Sequence, residues 1–267
     1  MQVRVSLVPI CSAVLAAAVA CSGAQTASNA RVTTLSQARQ DYLAGLKALE
    51  EADYATATEL LQKVARGPSY IVYSPLARIR LADALFLQDR PEEAAEAYRA
   101  FTETNSGDPN LHYAWFMMAK SRVKALPAEF FLVPPADRRD QRKVRSALGA
   151  LIDFMTTFPD SPYMGEAVTL LARMVGIVTS YEMEVAQFYM TRDKPLGAAN
   201  RLKRLIAEIP RAAAREDARA SLVQALAAAE DRDALRRECD EYLDRFPAGR
   251  HRSSVKGWCK AAPPAAD

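Results

Sequence analysis

Hydrophobic side chains recur every three to four residues along almost the whole chain, a spacing that predicts amphipathic helices. The stretch 35–66 illustrates the pattern, with one helix expected over 35–51, a short turn, and a second helix over 54–66. Strands would require alternation with a period of two, and no stretch of the chain sustains it. The sequence therefore predicts an all-α fold made of helical hairpins.

The second helix of each predicted hairpin carries one small residue followed by two larger ones at fixed spacing. The small residue lets the first helix cross closely over it, and the larger residues fill the wedge between neighbouring hairpins. This pattern is a signature of the tetratricopeptide repeat (TPR). It occurs five times, at Ala57-Leu61-Val64, Ala94-Tyr98-Phe101, Ala147-Leu151-Phe154, Ala198-Leu202-Leu205 and Ala234-Leu235 leading to Tyr242. The expected architecture is a TPR superhelix of about five helical hairpins.

Two of the gaps between repeats are unusually long, because the marker alanines are 37, 53, 51 and 36 residues apart. The first long gap holds an insertion at about 125–140, and the second holds an uninterrupted helical pattern from Tyr163 to Arg192. We expect this long helix to connect two halves of the molecule. The predicted order is repeats one to three over 35–161, the long helix with repeats four and five over 162–250, and a C-terminal tail over 251–267.

The N-terminus carries an apolar run that is too short to span a bilayer but typical of a signal peptide. Small residues close this run and lead into Cys21-Ser22-Gly23, which resembles the lipobox of a bacterial lipoprotein. We therefore expect residues 1–20 to be removed, Cys21 to carry lipid, and 21–34 to be a flexible linker. The alternative is an ordinary secretory signal with an incidental Cys21. Ser22 after the cysteine resembles lipoproteins sent to the outer membrane.

Two further cysteines, Cys239 and Cys259, lie near the C-terminus. An even pair in an exported protein is a disulfide candidate. The alternative is two buried free thiols, and the sequence leaves both open.

Charge and motif content argue against several classes of function. A net charge of only +3 argues against nucleic acid as the main partner. The two histidines, His112 and His251, stand apart in the sequence without further ligands at metal-binding spacing. The sequence also lacks a glycine-rich phosphate loop and a Gly-x-Ser-x-Gly nucleophile turn. We expect a non-catalytic protein without cofactor or metal.

Several short stretches together resemble the BamD family, the TPR lipoproteins of the machinery that inserts β-barrel proteins into the bacterial outer membrane. The resemblance covers about 35–247 and departs from the family in the alanine-rich first helix of repeat five, in the two extra cysteines and in the tail. The stretches that carry it are Asn105-x-x-x-Pro109-Asn110-x-x-Tyr113, Phe130-Phe131-x-Val133, Tyr181-Glu182 before Val185-Ala186, and Asn200-Arg201.

The resemblance implies a scaffold at the periplasmic face of the outer membrane, held there by lipid on Cys21. In the family, the C-terminal repeats bind the insertase BamA, other BAM subunits join the complex, and the N-terminal repeats receive unfolded β-barrel proteins. Arg201, next to Asn200, would then present its guanidinium to an acidic group of the insertase. The alternative for Arg201 is a solvated helix charge.

A TPR register places four side chains on the inner face of the N-terminal repeats: Tyr42, Leu46, Asp83 and Phe86. We expect these side chains to line a pocket for extended peptides of β-barrel substrates. Packing within the hairpins is an equally good explanation. Phe130 and Phe131 in the insertion form either an exposed apolar patch for a partner or the core of the insertion itself.

Two other non-enzymatic functions remain open. One is an exported TPR adaptor lipoprotein of another kind in the cell envelope. The other is a soluble periplasmic binding module, which would follow if Cys21 carried no lipid. Neither accounts for the long helix and the Phe-Phe insertion together.

Overall fold

The computed structural model describes residues 35–67, 72–126, 141–209 and 215–260. In these ranges the chain forms eleven helices and no strand, so the all-α prediction is confirmed. The helices are α1 (35–50), α2 (Tyr54–Arg66), α3 (Ser74–Leu87), α4 (Pro91–Thr104), α5 (Leu111–Lys124), α6 (Gln141–Thr157), α7 (Met164–Met190), α8 (Pro195–Glu208), α9 (Arg215–Ala228), α10 (Arg232–Arg245) and α11 (Arg252–Cys259).

Three predicted features lie outside the described residues. They are the signal peptide over 1–20, the linker with Cys21, and most of the insertion, including Phe130 and Phe131. The predictions for these segments stay predictions.

The repeat pattern is confirmed by the burial of its marker positions. The alanines at 57, 94, 147 and 198 have no exposed surface, and Ala234 exposes only 6%. The larger residues of the pattern are buried as well. The small side chain lets the partner helix approach closely, and the larger ones form the core between successive helices. The described helices therefore pair as TPR hairpins: α1–α2, α3–α4, α5–α6, α7–α8 and α9–α10.

Four of these hairpins turn in the same way. The residue two positions before the second helix has a positive φ of 55–59°, although it is never glycine. These residues are Ala52, Asp89, Asp193 and Glu230. A left-handed residue ends the first helix and reverses the chain within three or four residues. In the third repeat the insertion occupies the place of this turn.

Two compact units make up the chain, and the boundary between Ala114 and Trp115 falls inside α5. The first unit contains α1 to α4, and the second contains α6 to α11. The division near residue 161, after the third repeat, stays a prediction. Within the second unit, the long helix α7 packs against α6 as well as α8. At 27 residues, α7 is about 40 Å long and belongs entirely to the second unit.

The C-terminal tail predicted over 251–267 contains a helix. This helix, α11, packs against α9 and α10, and a disulfide joins Cys259 on α11 to Cys239 on α10. The Cα atoms of the two cysteines are 6.0 Å apart, and Cys259 follows Cys239 by 20 positions in the sequence. Closing a loop of this length stabilises a folded chain by roughly 3 kcal/mol in the chain-entropy model.

We expect Gly197→Ala to destabilise the second unit, because a Cβ at Gly197 on α8 would lie 2.9 Å from the ring of Tyr189 on α7. Overpacking of this kind costs about 1–3 kcal/mol. The control is Gly149→Ala on α6, where a Cβ would have nothing within 4 Å and helix propensity should add roughly 0.5–1 kcal/mol. Urea unfolding curves measure both changes. Equal stability of the two variants would contradict the close approach.

Candidate partner-binding site

A carboxylate lies in the core of the second unit. Glu182 occupies a position on α7 that is in register with Val178 and Ala186, and all three are buried. Only 1% of Glu182 is exposed. A buried carboxylate requires hydrogen-bond donors and opposite charge nearby, since isolated burial of an ion is very costly.

Three arginines supply that charge. Arg145 on α6 donates to Oε1 of Glu182 at 2.7 Å, and Arg204 on α8 donates to the same oxygen at 3.1 Å. Arg201 on α8 lies on the other side, with its Nη1 3.6 Å from Oε2 of Glu182. That distance is too long for a hydrogen bond. Oε2 is buried and accepts no hydrogen bond from any described residue.

A second carboxylate completes what we call the Glu182 cluster, namely Glu182, Arg145, Arg201, Arg204 and Glu208. Glu208 on α8 pairs with Arg145 and lies 3.7 Å from Nε of Arg204. No contact joins Glu208 to Arg201 among the described ion pairs. Three guanidinium groups and two carboxylates leave the cluster with one excess positive charge.

The residues predicted to bind the insertase lie at the edge of this cluster. The side chain of Arg201 is 34% exposed, and the neighbouring Asn200 is exposed on the same helix. Arg201 is therefore neither a fully solvated helix charge nor a buried structural ion. It borders solvent while its guanidinium lies close to a buried anion.

In the first unit, Asp83 lies in an internal hydrogen-bond network. Asp83 on α3 is 8% exposed. Its Oδ1 accepts hydrogen bonds from the hydroxyls of Tyr98 on α4 and Tyr113, the latter at 2.7 Å, and its Oδ2 accepts one from Arg80 at 2.8 Å. The network ties α3 to α4 and to the residues that precede the unit boundary.

Electrostatics keeps both tyrosines of this network neutral. Burial and the negative charge of Asp83 raise the pKa of Tyr98 and of Tyr113 well above the ordinary value. Because their pKa values are raised, both tyrosines contribute to the stability of the fold below about pH 10, where a tyrosine of the unfolded chain is also neutral. This contribution to stability is lost as the pH rises further. Burial tends to lower the pKa of Arg80, but Asp83 and Tyr42 raise it above its usual range.

Of the other predicted pocket residues, two pack in a hydrophobic core and one is partly exposed. Tyr42 and Leu46 pack in the core of the first hairpin, and the ring of Tyr42 lies 5.6 Å from that of Tyr73. Phe86 is partly buried on α3. A substrate pocket formed by these residues stays a prediction.

His251 forms a polar contact that spacing in the sequence did not suggest. Its Nε2 lies 2.6 Å from Oδ1 of Asp217 on α9, a residue 34 positions earlier. Burial would raise the pKa of Asp217, but His251 and Arg250 lower it below the ordinary value.

Within the part of the chain that the structure describes, no three potential metal ligands cluster. Nor does any helix there combine the length and apolarity needed to cross a membrane.

The family of the chain follows from comparison with known proteins. The model of a family described as "Outer membrane lipoprotein" (YfiO) matches residues 35–251. The chain belongs to this family. The match extends from the start of α1 to the residue before α11 and therefore includes both units.

Curated relatives of the chain carry the name "Outer membrane protein assembly factor BamD", which confirms the resemblance to the BamD family. The protein of Neisseria gonorrhoeae is 26% identical over 70% of this chain and 71% of its own length. The protein of Haemophilus influenzae is 25% identical over 74% of both chains. For Neisseria meningitidis serogroup A, the match is 25% identical and spans 59% of this chain and about three fifths (60%) of the relative.

Among solved structures, the TPR domain of P58(IPK) is similar to the chain with a TM-score of 0.45 and 13% identity. The match covers 89% of this chain and 58% of that one. At this score the likeness adds nothing to the TPR assignment, which rests on the buried repeat pattern and the hairpins.

Sequence reasoning missed most of the Glu182 cluster. It selected Arg201, but it did not select Arg145, Arg204 or Glu208. One signal was available, because Glu182 falls four residues from Val178 and Ala186 in the apolar period of α7. A charged residue in a core register requires buried partners. The identity of those partners depends on packing between α6, α7 and α8.

Proposed function

We propose that the chain is a non-catalytic assembly factor for outer-membrane proteins, acting as a TPR scaffold at the membrane surface. Its family membership and its BamD relatives support this role. TPR hairpins expose helix faces that suit protein partners. Within this role we propose three contacts: the BamA-type insertase with other BAM subunits, unfolded β-barrel proteins, and the membrane through lipid on Cys21.

The Glu182 cluster is the observation that supports the insertase contact. Its excess positive charge lies beside solvent, where the side chains of Arg201 and Arg204 are 34% and 50% exposed. Arg204 already donates a hydrogen bond to Oε1 of Glu182, whereas Arg201 lies 3.6 Å from Oε2. A guanidinium at such a position binds a carboxylate with two parallel, charge-assisted hydrogen bonds. We propose that an acidic side chain of the insertase binds Arg201, with Asn200 beside it at the rim.

Arg201→Glu should reduce recovery of the insertase at least tenfold when the tagged full-length chain is purified from detergent-solubilised outer membranes. Reversal of charge converts attraction into repulsion and removes the hydrogen-bond donors. The control is Arg78→Glu, which reverses an exposed arginine on α3 in the first unit. Quantitative mass spectrometry of the purified material measures the ratio of insertase to bait. Unchanged recovery with Arg201→Glu would overturn the contact.

The same purification examines the anchor and the alternative function. Cys21→Ala should shift the chain from the membrane fraction to the soluble fraction, because no other lipid site is proposed. Recovery of different envelope proteins without the insertase would instead identify an exported TPR adaptor of another kind.

We also propose that the first unit receives β-barrel substrates, near Tyr42, Leu46, Asp83 and Phe86. Phe86 and Leu46 are partly exposed, whereas Asp83 accepts hydrogen bonds from Tyr98, Tyr113 and Arg80. Aromatic rings of extended β-barrel segments would pack against the partly exposed side chains.

A further inference from the structure

We infer that Glu182 is the positioning residue for Arg201, and that the Glu182 cluster is arranged to take up one further carboxylate. This inference rests on the proposed insertase contact and specifies how the contact is made. It concerns Glu182, which a partner cannot reach because only 1% of it is exposed. Glu182 therefore acts through Arg201.

The two oxygens of Glu182 have different tasks. Oε1 accepts hydrogen bonds from Arg145 and Arg204, and these bonds fix the carboxylate in place. Oε2 faces Arg201 at 3.6 Å and accepts no hydrogen bond from a described residue. Arg201 is thus attracted by the buried charge, yet its guanidinium donates no hydrogen bond to Glu182.

Burial makes this attraction strong enough to orient a side chain. Water and salt screen Coulomb interactions between partly buried groups far less than those between exposed groups. Arg145, Arg201 and Arg204 would repel one another without the anion between them. With Glu182 neutralised, we expect the exposed end of Arg201 to move away from its neighbours and to sample several rotamers.

The charge balance indicates what the site binds. Glu182 and Glu208 neutralise two of the three guanidinium groups, so a single additional monoanion completes the cluster. A carboxylate fits this balance and matches the planar geometry of Arg201. A dianion such as a phosphomonoester would leave one negative charge in excess.

The test measures the affinity of the full-length chain in detergent for the purified periplasmic domains of the insertase. We expect Glu182→Gln to weaken binding about three- to tenfold, the cost of immobilising one long side chain on association. Arg201→Ala should weaken binding more. In the Arg201→Ala background, Glu182→Gln should have no further effect, because its role passes through Arg201.

Glu166→Gln is the matched control. It also removes a carboxylate from α7, but Glu166 pairs with Lys120 and lies outside the Glu182 cluster. We expect binding to stay unchanged. If Glu182→Gln fails to fold, Arg204→Gln replaces it. The loss of one donor to Oε1 should draw Arg201 inward and weaken binding three- to tenfold, again only while Arg201 is present.

The outcomes separate the two proposals. If Arg201→Ala binds like the unchanged chain, the insertase contact itself is wrong. If Arg201→Ala weakens binding but Glu182→Gln does not, or weakens it equally with and without Arg201, the contact stands and the positioning role is wrong. Equal weakening by Glu182→Gln and Glu166→Gln would likewise overturn the positioning role.

Discussion

Asp83→Ala should destabilise the first unit by about 3–5 kcal/mol, the cost typical of removing one partner from a buried ionic network. Asp83 accepts hydrogen bonds from two tyrosine hydroxyls and from Arg80. Without the carboxylate, the buried hydroxyl of Tyr98 and the guanidinium of Arg80 lose their acceptor. Urea unfolding followed by tyrosine fluorescence and circular dichroism measures the loss.

A double-mutant cycle and a surface control test the reason for this loss. Tyr98→Phe alone should cost about 1–2 kcal/mol, and it should cost less in the Asp83→Ala background because the orphaned hydroxyl is then absent. Glu103→Ala removes a carboxylate that pairs with Arg99 on the exposed face of α4, and little change is expected. An Asp83→Ala variant as stable as Glu103→Ala would contradict the network.

Arg219→Met should destabilise the second unit by about 3–5 kcal/mol. The side chain of Arg219 on α9 is 6% exposed, and its guanidinium lies 2.6 Å from Glu238 and 2.7 Å from Glu241 on α10. Methionine preserves much of the packing but leaves Glu238 buried without this partner. Thermal and urea unfolding of the variant measure the effect.

The Arg219→Met loss should depend on pH. Burial raises the pKa of Glu238 above its ordinary value even with Arg219 nearby, and removal of the arginine should raise the pKa further. When the pKa of a carboxyl group is raised by folding, the folded state loses no stability at a pH below the pKa of the unfolded chain, which is near 4.5 for Glu238. Above that pH, stability is lost progressively as the pH increases. The deficit should therefore be full at pH 7 and small near pH 4.

Arg245→Met provides the comparison for the Arg219 experiment. Arg245 also pairs with Glu241, at 3.6 Å, but its side chain is exposed, so a much smaller loss is expected. A deficit for Arg219→Met that does not change between pH 7 and pH 4 would mean that lost packing, rather than the charge of Glu238, causes it.

The repeats were predictable because their signal is local. Ala57 and Ala94 recur at the same place in their helices, and both are fully buried. The long helix was expected from Tyr163 to Arg192 and runs from Met164 to Met190. Its packing partners were not identified from the sequence, because only the packing of the helices shows that α7 lies against both α6 and α8.

The candidate site was predictable only in part. Arg201 was selected through the family resemblance, and the structure adds the buried Glu182 beside it. The expectation that Asp83 lines a pocket stays a prediction, and the structure adds the hydrogen bond that Asp83 accepts from Tyr113, 30 residues away. Contacts of this kind depend on which helices meet. A single sequence gives the side chains of one helix but not their partners on another.

By itself the sequence determined the helical class, the repeat spacing and the family, because each depends on the order of residues within a short stretch. The tertiary structure decided the unit boundary, the Glu182 cluster, the Asp83 network and the pairing of Cys239 with Cys259. These features join residues from different helices. Buried charges and hydroxyls must find partners in space, and only the packing of the hairpins determines which partners are near.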